Sequence, residues 1–129
     1  MVSLFSKTTN MRVLFSFLVI ALTSVSCAQN RVSQTEFKKL MKDPSAQIVD
    51  VRTANEVTQG TQGKINGSMN IDYFSPTFVA TAQKKLDKTK PVLVYCAAGG
   101  RSASAAKDLK KAGFKKVYDL EGGYDAWKE

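Results

Sequence analysis

The chain has 129 residues, 43% of them apolar, and carries nineteen Lys and Arg against eleven Asp and Glu for a formal charge of +8, with no histidine and two cysteines. That length fills one compact domain with a single core and excludes a second, and two cysteines exclude a stapled disulfide framework. The missing histidine removes Cys–His proteases, Ser–His hydrolases and most zinc enzymes, and basic residues spread over helical faces without interleaved aromatics argue against nucleic acid as a partner.

The chain begins with Lys7 and Arg12, an apolar run over 13–22, and the small polar residues Thr23, Ser24, Val25 and Ser26 ahead of Cys27. This is the layout of a signal peptide over residues 1–26, and its apolar run is too short to cross a hydrocarbon core of roughly 30 Å as a helix. Cleavage before Cys27 would leave a lipid-bearing N-terminal cysteine and a membrane anchor. A cut before Gln29 would instead release a soluble exported protein. The first is the preferred expectation, placing the protein in the periplasm or cell envelope, although Ser24 stands where a lipoprotein signal has an aliphatic residue. Met11 offers a second start. Residues 27–32 read as a tether and 33–129 as the domain.

Ser33-Gln34-Thr35-Glu36 reads as a capping box, and Phe37, Leu40 and Met41 follow helical spacing, which predicts a helix over 34–42. Asp43-Pro44-Ser45 ends it. Residues 47–51 form a short apolar run expected of a buried strand, followed by a polar stretch with one short helix over 55–59 and a second short strand over 69–71. Ser75-Pro76 reads as a cap with proline at the first helical position, and Phe78, Val79, Ala82 and Leu86 mark an apolar helix face. The clearest strand covers 91–96. A glycine-containing loop follows it, then a helix over 102–112 with Ala105, Leu109 and Ala112 inward and Gly113 as its stop. A strand over 116–120 and a last helical turn bearing Tyr124 and Trp127 complete the chain. Short buried strands alternating with helices imply an α/β fold with a parallel sheet covered on both faces. The carboxyl ends of strands 47–51 and 91–96 then share one rim, so Asp50, Arg52 and Cys96 are candidates for one neighbourhood.

The chemistry concentrates in Cys96-Ala97-Ala98-Gly99-Gly100-Arg101-Ser102. A strand ending in cysteine, a tight loop and an immediate helix start form an anion cradle, in which backbone N–H groups and the helix dipole favour a thiolate. Gly99 and Gly100 permit the positive φ angles a curled loop needs, Ala97 and Ala98 do not crowd it, and Arg101 supplies fixed charge for an anionic donor or braces the loop. If Cys27 carries lipid, Cys96 stands alone in an oxidising compartment, where an idle thiol is a liability. Without histidine, the mechanism has to use a thiolate ionised by its own loop, and sulfur transfer meets that requirement.

Cys-x-x-Gly-x-Arg-Ser after an apolar strand resembles the active loop of the rhodanese domain family. Ile48-Val49-Asp50-Val51-Arg52 is similar to that family's Asp-x-Arg strand, the segment from Gly63 to Ile71 to its Gly-His-Ile-Pro-Gly-Ala stretch, and the segment from Leu120 to Trp127 to its closing motif. The resemblance covers residue 32 to the end. It implies a rhodanese-like five-stranded parallel sheet flanked by helices on both faces, a persulfide on Cys96 cradled by amides of residues 97 to 101, and structural roles for Asp50 and Arg52. It also implies a small sulfur donor and a thiol acceptor as partners, with no cofactor and no metal. The departures are Lys64 for the family's histidine, Asn66 for its proline, and Ala97 where many members have arginine. Only the last bears on chemistry, because without basic side chains at 97 and 98 a persulfide donor stays as open as thiosulfate.

Two alternatives use the same loop. A cysteine phosphatase or arsenate reductase also sets a thiolate beside an arginine, but with five intervening residues where this chain has four. A non-catalytic sulfur carrier or interaction module is the other, and inactive members of the family commonly lack the cysteine. Asp50 and Arg52 read as an ion pair bracing the loop, Glu56 and Trp127 as structural, and Lys107, Lys110 and Lys111 as a solvated helix face.

Overall fold

A computed structural model of the chain describes residues 30–129. The proposed signal segment and Cys27 lie outside the described residues. The elements in chain order are β1 (Arg31–Val32), α1 (Gln34–Leu40), β2 (Gln47–Asp50), α2 (Ala54–Gln59), β3 (Met69–Asn70), α3 (Phe78–Lys85), β4 (Val92–Tyr95), α4 (Gly100–Lys111) and β5 (Val117–Leu120), closed by a 3₁₀ turn at Tyr124–Ala126. The five strands form one sheet in the order β1-β5-β4-β2-β3, and every pairing is parallel.

Alternation along β4 divides the core between the two faces of the sheet, because successive side chains of a strand point to opposite sides. Val92, Val94 and Cys96 join Phe78, Ala82, Leu86, Ala105 and Leu109 on the face covered by α3 and α4. Leu93 and Tyr95 pack on the other face with Phe37 of α1, Ile65 and Leu120. Trp127 closes that second layer edge-on to Phe37, ring centroids 6.0 Å apart. Lys107, Lys110 and Lys111 lie on the exposed side of α4, as their spacing predicts.

Three elements depart from the sequence expectation. Arg31 and Val32, read as tether, are an edge strand in register with Asp119 and Leu120 of β5. A two-residue strand has no periodicity to detect, and its order comes from the partner it pairs with. The third helix starts at Phe78, with Thr77 as a cap residue whose side chain accepts no N–H of the helix. Ser75 instead turns the chain before the helix, where its hydroxyl accepts the Thr77 N–H and its carbonyl accepts the Phe78 N–H. In α1 only half of the expected capping box is present, the Glu36 N–H donating to Ser33 Oγ. The complete box belongs to Thr53 and Glu56 at the start of α2.

After β2 the chain moves toward β3, and after β4 it moves toward β5, so the topology switches direction between β2 and β4. Ligands of open parallel sheets bind in the crevice beyond the carboxyl ends of the strands at such a switch point. Arg52 and Cys96 leave the sheet at that crevice.

Candidate active site

Cys96 follows the last residue of the central strand β4 and is 1% exposed. Its Sγ accepts the N–H of Gly99 at 3.0 Å and the N–H of Ser102 at 3.4 Å, and lies 3.4 Å from Ser102 Oγ. The curl that brings these groups onto the sulfur turns on Gly99, the N-cap of α4, whose φ of 110° suits glycine. The closing segment holds the loop from behind: the carbonyls of Cys96 and Ala97 accept the N–H groups of Tyr124 at 2.8 Å and Asp125 at 2.9 Å. Gly123 makes that approach possible, because a Cβ there would stand 2.4 Å from the Ala97 oxygen.

Ser102 and Asp119 extend the cradle inward. The Ser102 hydroxyl donates to Asp119 Oδ1 in a short contact and has the Gly99 carbonyl at 3.2 Å. The other Asp119 oxygen accepts Nε and Nη2 of Arg31 at 3.0 and 2.9 Å, and Arg31 Nη2 also donates to the Gly99 carbonyl at 2.7 Å. Burial pushes the Asp119 carboxyl above its usual range, with Ser102 and Arg31 pulling the other way. Neither Arg31 nor Asp119 figured among the residues singled out from sequence. Asp119 carried a faint signal, an acidic residue inside a strand buried on both faces.

Arg101 leaves the loop toward α2, where its Nη1 and Nη2 meet Glu56 Oε2 and Oε1 at 2.7 and 2.8 Å, with the guanidinium 5.3 Å from the Phe74 ring centre. The bidentate pair holds the Glu56 carboxyl down at about 2, against an ordinary 4.5. Glu56, expected to be structural, thus both caps α2 and neutralises the one charged side chain of the Cys96 loop.

Asp50 and Arg52 form a buried ion pair, Nη2 to Oδ2 2.6 Å, but instead of the Cys96 loop expected from the sequence Arg52 reaches the Gly63 carbonyl, donating to it at 2.8 Å. The pair therefore braces the segment after α2. Arg52 lies over the rings of Tyr124 at 4.7 Å and Tyr95 at 5.7 Å, and the Tyr95 hydroxyl anchors the same segment through the Ile65 N–H at 3.0 Å. Lys64 and Asn66 are exposed, with no hydrogen bond or ion pair to the Cys96 loop.

Beside Ala97 opens a cavity of about 200 Å³, lined among others by Arg52, Glu56, Thr61, Ala97 and Asp125. Arg52 is neutralised by Asp50, and Glu56 by Arg101, which leaves Asp125 as the unmatched charge. Ala98 and Gly100 are exposed on the outer side of the loop. Among the described residues, no group of three or more His, Cys, Asp or Glu is placed to hold a metal ion.

Sheet, switch point and cradle together define a parallel α/β domain built around one buried thiol at a loop-to-helix junction. A family model for the rhodanese-like domain matches residues 33–129, and the chain belongs to that family. It is 36% identical over 102 residues to thiosulfate sulfurtransferase GlpE of Stutzerimonas stutzeri, spanning 73% of this chain and 87% of that protein. It is 33% identical over 104 residues to the tRNA uridine(34) hydroxylase of Pelagibacter ubique, where the match takes 81% of this chain and 34% of the hydroxylase. Among solved structures, a rhodanese-like domain protein from Staphylococcus aureus superposes with a TM-score of 0.64 at 29% identity, covering 78% of this chain and 93% of that one.

Proposed function

We propose that the protein is a sulfurtransferase whose nucleophile is Cys96. The Cys96 thiolate attacks the outer sulfur of a sulfane donor and the donor's S–S bond breaks. The remainder leaves with the bonding electron pair, as sulfite from thiosulfate or as a thiolate from a persulfide. The outer sulfur stays on Cys96 as a persulfide until a thiol acceptor attacks it and restores the Cys96 thiolate. The observation that carries this reading is the pair of N–H groups, from Gly99 and Ser102, aimed at Sγ: two fixed donors meet the sulfur that bonds to the donor's outer atom and later leaves with the electron pair. Relatives named thiosulfate sulfurtransferase support it.

One feature of the site favours a thiol-bound persulfide over thiosulfate as the donor. The Arg101 charge is taken up by Glu56, positions 97 and 98 carry no cation, and the unmatched charge beside the loop is the acidic Asp125. A dianion gains little there. The layout of residues 1–26 supports export to the periplasm or cell envelope, with Cys27 as the lipid attachment point.

The test is intact-mass spectrometry of the protein after exposure to a sulfane donor. Wild type gains one sulfur atom and Cys96→Ala gains none. No uptake by wild type, or equal uptake by the variant, rejects the assignment, as does phosphatase turnover without sulfur transfer.

A further inference from the structure

The chain from Cys96 through Ser102 to Asp119 has a direction fixed by proton counting. The Ser102 hydroxyl has one proton and three polar neighbours. Two of them, the Asp119 carboxylate, whose other oxygen is ion-paired with Arg31, and the Gly99 carbonyl, are acceptors. Toward the thiol, Ser102 is therefore an acceptor, and the Cys96 S–H donates to Ser102 Oγ across 3.4 Å. The arrangement is a two-link hydrogen-bond chain from the reacting sulfur to a buried carboxylate.

Resting on the sulfurtransferase reading, we propose that Asp119, acting through Ser102, takes the Cys96 proton in place of the histidine this chain lacks. In this step the S–H bond breaks and its proton binds Ser102 Oγ, while the proton already on Oγ moves to Asp119 Oδ1. No proton enters or leaves, no electron changes hands, and the single negative charge moves from Asp119 to Cys96. The resulting thiolate accepts from the N–H groups of Gly99 and Ser102 and from the reversed Ser102 hydroxyl. Asp119 touches no reacting atom, so its part is that of a positioning residue, whereas Ser102 contacts the sulfur directly.

The surroundings raise the proton affinity of Asp119. Asp119 is 2% exposed, and burial favours its neutral form while Arg31 from β1 restrains it in the charged one. The other charged groups around the loop are the Arg101–Glu56 pair of α4 and α2, with Asp72 within electrostatic reach of Arg101, the Asp50–Arg52 pair at the end of β2, and Asp125 of the closing turn. Both pairs are internally neutral. Arg31–Asp119 is a third such pair, and of the three it is the one joined to the sulfur through the Ser102 hydroxyl.

An internal transfer keeps the bound-proton count constant, so it predicts a thiolate fraction that does not depend on pH. The experiment uses the full chain carrying Cys27→Ser, which leaves Cys96 as the one thiol, and follows iodoacetamide alkylation of Cys96 by intact mass across pH. Below the ordinary cysteine value of roughly 8.5, a thiol that ionises to solvent loses reactivity about tenfold per pH unit. The wild type is expected to level off at a plateau instead, ending where Asp119 is itself protonated from solvent. Asp119→Asn still accepts the Ser102 hydroxyl but cannot take its proton, and it should abolish the plateau. Ser102→Ala should do the same, and Ser102→Thr should restore it. A wild-type profile without a plateau, or a plateau retained in Asp119→Asn, overturns the proposal. The wild-type profile alone decides if the variants fail to fold. Sulfur uptake in a protein without a plateau would defeat this proposal and leave the sulfurtransferase reading standing. A plateau without sulfur uptake would do the reverse.

Discussion

Glu56 and Arg101 sit 45 residues apart in the sequence and meet as a two-pronged ion pair, 2.7 and 2.8 Å between their heavy atoms. The only charged side chain of the Cys96 loop is thereby held away from an incoming anion. Glu56→Gln keeps an acceptor for the Thr53 N–H and so keeps the cap of α2, while releasing the Arg101 charge. Its kcat/KM with thiosulfate is expected to rise about two- to fivefold, chiefly through KM. That matches the roughly 0.5–1 kcal/mol that a part-exposed charge interaction is worth. Steady-state kinetics on the purified protein decide it, and an unchanged or raised KM would remove Glu56 from donor selection.

The same pair sets an acid dependence. The Glu56 carboxyl stands at about 2 in the folded protein against an ordinary 4.5, chiefly because Arg101 hydrogen-bonds its charged form. Folding lowers this value, so the pair's contribution is fully present above 4.5 and is lost as the pH falls through about 2. Thermal midpoints of wild type and Glu56→Gln, measured down that range, should converge toward its acid end. A gap that stays constant throughout would contradict this account.

Arg31→Met tests the edge strand. The substitution keeps an apolar stem over β5 but removes the donors to Asp119 and the Gly99 carbonyl. A buried acceptor left without its partner costs about 1–3 kcal/mol, readable as a shift in a denaturant midpoint. Arg31→Lys should recover only part of the loss, because one ammonium cannot span both acceptors in the geometry of the guanidinium fork.

Gly123→Ala strikes the back of the loop. The position has φ 60° and ψ −162°, a region that costs other residues about 1–3 kcal/mol. The new Cβ would also press on the Ala97 oxygen at 2.4 Å and the Cys96 oxygen at 2.6 Å. Activity should fall more than stability, since the backbone displaced is the one that aims the N–H groups at the sulfur. Comparing kcat/KM with the melting temperature separates the two effects, and equal losses would make Gly123 a folding residue only.

How far the sequence could be read depended on the range of each interaction. The β4 strand, the glycine turn after Cys96 and the apolar face of α4 were visible because each is written in consecutive or helically spaced residues. The Asp50–Arg52 pair was visible for the same reason. Thr53-Ala54-Asn55-Glu56 carries the same capping pattern as Ser33-Gln34-Thr35-Glu36, a local signal for the start of α2. Arg31, Asp119 and the Glu56–Arg101 pair were a different matter. Arg31 reaches Gly99 from 68 positions away, and nothing local to either residue announces the other. The start of α3 was displaced because Ser75-Pro76 fits a turn and a helix cap equally well, and the fold used the turn.

Strand β4 lies at the middle of the sheet order, with two strands on either side, and Cys96 follows directly from it. The working sulfur is therefore mounted on the part of the molecule whose backbone amides open last, by whole-domain unfolding, while frayed edges and the exposed helix α2 can breathe independently. Heating should show no folded but inactive form: sulfur uptake and the slowest hydrogen-exchange signals of β4 should vanish in one transition.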